Sequence, residues 1–114
     1  MASVFKSNTN GAGVIAVEAA TPAGATYRLM SVSCHFSAAP TTSENFTITL
    51  DALAGAEYDT LLYSVDPSAT SLTDIVWYPD GWELMTTGGD VIDVAFANTD
   101  LVTYGVQVTL KAVY

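Results

Sequence analysis

Apolar and polar residues alternate with a period of two along most of this chain. The longest clean run is Tyr27-Arg28-Leu29-Met30-Ser31-Val32-Ser33-Cys34-His35-Phe36. Met30, Val32, Cys34 and Phe36 fall on one side of it, and Ser31, Ser33 and His35 on the other. Successive strand side chains point to opposite faces, so the run predicts a half-buried strand over about residues 26–37. Similar alternation recurs in Phe46, Ile48 and Leu50, in Ile92, Val94 and Phe96, and in Tyr104, Val106, Val108 and Leu110. Shorter strand-like runs fall at residues 14–20, 58–65, 73–78 and 82–85.

Turn chemistry separates these runs: Thr21-Pro22-Ala23-Gly24, Ala54-Gly55-Ala56, Asp66-Pro67-Ser68, Pro79-Asp80-Gly81, Gly88-Gly89-Asp90 and Asn98-Thr99-Asp100. No stretch sustains a helical period. The pattern predicts an all-β domain, a two-sheet antiparallel β-sandwich of about eight strands. A jelly roll suits eight strands because it leaves few free edges; an immunoglobulin-like sandwich is the alternative. Residues 1–13 are small and polar and are expected as a flexible N-terminal arm, leaving residues 14–114 as a single domain.

Composition narrows the picture. Half of the 114 residues are hydrophobic and 13% are charged, too apolar for disorder. No apolar run approaches the roughly 18 residues needed to span a bilayer, and the first residues lack the apolar core of a signal peptide, so no membrane partner is expected and a cytoplasmic site of synthesis is. Cys34 is the lone cysteine, which rules out an intrachain disulfide. Twelve acids against three bases give −9, with Lys6, Arg28 and Lys111 towards the chain ends and eleven acids between Glu44 and Asp100. So few bases give no footprint for a phosphate backbone, and no nucleic-acid partner is expected.

Candidate chemistry is sparse. Cys34 and His35 are neighbours on a strand, so their side chains should diverge and cannot readily form a thiolate–imidazole pair. Cys34 is expected as a buried, inert thiol and His35 as an outward group. No second His or Cys completes a soft metal site, and no phosphate loop or calcium loop occurs. The chain is therefore expected to be no enzyme and to use no cofactor or metal. Trp77, Tyr78 and Trp82 flank one turn and could stack on a ligand, or else fill the core.

The alternating run from Tyr27 to Ser37, the following Pro40-Thr41-Thr42-Ser43-Glu44-Asn45-Phe46-Thr47-Ile48-Thr49-Leu50-Asp51, Asp59-Thr60-Leu61-Leu62-Tyr63-Ser64-Val65-Asp66 and the closing Tyr104-Gly105-Val106-Gln107-Val108-Thr109-Leu110 resemble small structural proteins of tailed bacteriophages. Within that group the chain is most similar to jelly-roll capsid cement (decoration) proteins. The resemblance implies a virion protein on the capsid exterior. It would be a homotrimer that stabilises the head by bridging major capsid protein subunits. Val4, Phe5, Lys6, Arg28 and Lys111 are then the expected capsid-facing residues. The alternative is a carbohydrate- or receptor-binding module of a phage fibre or tail, using Trp77, Tyr78 and Trp82.

Overall fold

A computed structural model describes residues 4–20, 26–79, 85–87 and 89–113. Nine strands follow in order: β1 (Val4–Gly11), β2 (Ile15–Ala20), β3 (Thr26–Phe36), β4 (Phe46–Asp51), β5 (Thr60–Val65), β6 (Asp74–Trp77), β7 (Met85–Thr87), β8 (Val91–Phe96) and β9 (Tyr104–Val113). One 3-10 turn (Ala56–Tyr58) interrupts the β4–β5 connection. No helix among the described residues is long and apolar enough to cross a membrane.

The strands form two antiparallel sheets. The front sheet runs β1-β9-β3-β6, with the short β7 beside β6 on the remaining edge of β3; the back sheet runs β2-β8-β4-β5. Leaving β7 aside, the chain crosses between sheets at every step except the β4–β5 hairpin. That order is the jelly roll rather than an immunoglobulin-like sandwich.

The inner faces hold the core. Leu29, Val32, Cys34, Phe36, Ile75, Val106, Val108 and Leu110 of the front sheet meet Ile15, Val17, Phe46, Ile48, Ile92, Val94 and Phe96 of the back sheet. Phe36 and Phe96 join the sheets with ring centroids 5.5 Å apart, within the range of favourable tilted pairs. At the β5/β6 margin, Tyr63 stacks on Trp77 at 6.1 Å.

Two expectations change. Met30 is not on the inner face; it is 38% exposed, while Leu29 is buried. Leu29 pairs with Leu110 and Ser31 with Thr109, so Met30 is the extra residue of a β-bulge. A bulge moves the alternation on by one residue, and the inner face runs Tyr27, Leu29, Val32, Cys34, Phe36. The segment expected as an arm is, over Val4–Gly11, an edge strand that pairs with β9 along its whole length. Its many small polar residues give little apolar alternation, and a distant strand supplies its hydrogen-bond partners. The turn at Thr21-Pro22-Ala23-Gly24 and the segment around Asp80-Gly81 lie outside the described residues.

The end of the sandwich beyond Phe36 is tied by side chains. Asp100 accepts hydrogen bonds from the Thr41 and Thr42 amides and the Thr42 hydroxyl. Glu44 accepts from the amide and hydroxyl of Thr99, and Asp66 from the Ser43 hydroxyl and from Ser68. Asn98 is 1% exposed; its Nδ2 donates to the Gly13 and Val102 carbonyls, and its Oδ1 accepts from the Val102 amide. Its φ of 51° lies in the left-handed region, which asparagine tolerates better than most residues.

Candidate functional site

Outward positions of the front sheet follow from register, because directly opposed residues of an antiparallel pair share a face. Lys111 of β9 lies opposite Arg28 of β3 on one side and Val4 of β1 on the other. Thr109 lies opposite Lys6 and Ser31. The three Lys and Arg residues of the chain therefore occupy neighbouring register positions in one sheet, towards the start of β1 and the end of β9. Phe5 pairs in register with Leu110, which is buried.

The same face carries a second feature at its other end. Asn10, Gly105, His35 and Asp74 form one row across β1, β9, β3 and β6. Gln107, Ser33 and Val76 form the row beside it. Between the rows lies a shallow cleft of about 230 Å³. Gly105, with no side chain, lets the Asn10 side chain come close over the sheet. A Cβ built there would sit 3.0 Å from Asn10 Oδ1. A glycine inside a strand often marks such a close approach.

His35 Nδ1 and Asp74 Oδ1 are 2.7 Å apart at the rim. A carboxylate only accepts, so Nδ1–H donates, and Nε2 is left as the ring's second polar atom. The Asp74 Oδ2 accepts from the Thr73 hydroxyl. The His35 hydrogen bond, and then that from Thr73, holds the Asp74 carboxyl below the usual carboxylate range. Both carboxylate oxygens are thus engaged, and the imidazole is fixed in orientation. The arrangement can donate and accept hydrogen bonds from a rigid platform. Among the described residues Ser33 makes no hydrogen bond to His35.

Cys34 faces inward, 2% exposed, and burial followed by the charge of Asp74 pushes its thiol up to about 12. Trp77 pairs with the inward Val32 and is half-buried against Tyr63, whereas Tyr78 is exposed. The two do not share a face as a stacking platform, and Trp82 lies outside the described residues. Sequence reasoning placed His35 outward but missed Asn10, Asp74, Gly105 and Gln107. Gly105 within an alternating strand was the one local signal; the others depend on which strands are neighbours.

The back sheet's outer face is acidic. Glu18 lies directly opposite Asp93, with Asp51 on the next strand. Asp93 Oδ1 is buried without a hydrogen-bond partner among the described residues. Burial, then the charges of Asp51, Glu18 and Asp59, raises the Asp93 carboxyl above its ordinary value. Comparison of the sequence with protein-family models and with curated proteins gives no match.

Proposed function

We propose that the protein is a virion structural protein of the capsid-cement kind, which stabilises a phage head by docking across major capsid protein subunits. The observation that supports this reading is the gathering of Lys6, Arg28 and Lys111 on one sheet face of a chain with net charge −9. Like charges placed opposite each other across strands repel. Their concentration on one face suits a partner that brings acidic groups to it, giving orientation and salt-sensitive association. Many copies bound across subunit seams add interface area and avidity against internal pressure. The resemblance to cement proteins supplies the partner class and the trimer.

The test is co-sedimentation with purified heads that lack the protein. Lys111→Glu and the double variant Arg28→Glu/Lys111→Glu should lose binding by tenfold or more while keeping the native fold. Wild-type binding should weaken as salt rises. Undiminished binding of the double variant would overturn the proposal. Deletion of residues 2–12 is a poor substitute, because it removes the edge strand β1.

A further inference from the structure

We propose that the cleft between Asn10, Ser33, His35, Gly105 and Gln107 binds a single pyranose ring, the terminal sugar of a glycan or a free monosaccharide. The site stands independently of the docking reading. Gly105 and Lys111 are six residues apart on β9, roughly 20 Å at the ~3.3 Å rise of a strand, whereas Lys6 is opposite Thr109, two residues from Gln107.

Three observations select the ligand class. The first is size: about 230 Å³ lies below the ~300 Å³ where pockets for drug-sized ligands begin, so the cleft takes one ring and not an extended chain. The second is polarity. Ser33, His35 and the Asn10 amide present both donors and acceptors across adjacent strands, which a neutral ring of hydroxyls can satisfy in several directions. Beside them Val76 is 66% exposed and supplies an apolar wall for the C–H face of such a ring. The third is charge. Among the described residues Asp74 is the one carboxylate in the lining, and His35 and Thr73 already hold its two oxygens. A cation therefore finds no ready carboxylate.

Preorganisation strengthens the case. The His35–Asp74 pair fixes the imidazole before a ligand arrives, and the neighbouring backbone is anchored by Phe36 N–H to Thr73 C=O at 2.7 Å and Ser37 N–H to Thr103 C=O at 2.9 Å. A rigid site loses little freedom on binding.

The experiment is a nitrogen-15 amide NMR titration of the intact protein with the methyl glycosides of glucose, galactose, mannose, N-acetylglucosamine and N-acetylgalactosamine, each to its solubility limit. At least one should give saturable shifts centred on Asn10, Ser33, His35, Gly105 and Gln107. Gly105→Val, which crowds the Asn10 side chain, and His35→Ala, which leaves Gly105 and Asn10 in place, should each weaken that binding tenfold or more. Two variants are used because Gly105→Val also displaces Asn10; His35→Ala carries the test if the first does not fold. Lys111→Glu should leave the titration unchanged, which separates this site from the docking face. Absence of saturable shifts for every glycoside, equal affinity in His35→Ala, or saturable shifts with inorganic phosphate alone would each overturn the assignment.

Discussion

Cys34 and His35 sit side by side in sequence and on opposite faces of one strand, and their environments decide what each can do. Cys34 is enclosed by the core, and burial, followed by the charge of Asp74, pushes its thiol up to about 12. The thiolate is the reactive form, so a native molecule should resist thiol reagents near neutral pH. The expected result is no reaction with Ellman's reagent in buffer and stoichiometric reaction in guanidinium chloride. Cys34→Ala should destabilise by about 1–3 kcal/mol, through lost contacts and a small cavity. Rapid labelling of the folded protein would refute the buried placement. The alternation of Val32, Cys34 and Phe36 made this placement legible in sequence. The partner of His35 was not legible. Asp74 lies 39 residues on, and the pairing exists only once β6 docks beside β3.

At the scale of elements, β3 shows where alternation misleads. A period of two read backwards from Phe36 places Met30 inside, yet the inner positions upstream are Leu29 and Tyr27. Both phases are locally acceptable, since Met30 and Leu29 are both apolar. The continuous pairing with β9 decides between them by leaving Met30 as the unpaired residue. Removal of Met30 should therefore be tolerated. Tyr27, Leu29, Val32, Cys34 and Phe36 would then alternate without interruption against an unchanged β9. A protein lacking Met30 should fold with a native-like spectrum and lie within about 1–2 kcal/mol of wild type, the range of modest substitutions. Removal of Ser33 is the informative contrast. It moves either the upstream or the downstream inner residues to the solvent face, at about 1.5–3 kcal/mol for each large side chain exposed. Equal stability of the two deletions by urea denaturation would contradict the bulge. The same dependence on distant partners explains β1. Its polar sequence reads as an arm, and only the register with β9 makes it a strand and brings Lys6 beside Lys111 and Arg28.

Across the whole molecule, charge is segregated. The bases hold neighbouring positions at one end of the front sheet, whose other end carries Asp74; Glu18, Asp93 and Asp51 share the back, and carboxylates tie the loops at one end. Bulk composition reveals the excess of acid; its arrangement follows from topology. This arrangement sets how stability should vary with pH. Hydrogen bonds from Thr42, first from its amide and then from its hydroxyl, depress the Asp100 carboxyl, and hydrogen bonds from the Ser43 and then the Ser68 hydroxyl depress that of Asp66. Asp74 is depressed by His35 first and then by Thr73. The native state binds fewer protons at these groups than the unfolded chain. Their contribution is present above the ordinary value of 3.8 and is lost as pH falls through the lower folded values. Asp93 acts in the opposite sense. Its folded value is raised, so the native state binds more protons, and stability rises as pH falls from neutral through that value. Protonation also relieves part of the self-repulsion of a chain at −9. The two senses combine into a maximum on the acid side of neutrality. Urea midpoints measured at intervals from pH 7 down to about 3 should rise, pass through a maximum and then fall. Asp93→Asn should raise the midpoint near pH 7 and flatten the rise towards that maximum, since it removes a charge opposite Glu18. Asp100→Ala should lower the midpoint near pH 7 and shrink the fall towards pH 3. A midpoint that declines steadily from neutral to acid in wild type, unchanged by Asp93→Asn, would mean that the acidic back face carries no strain.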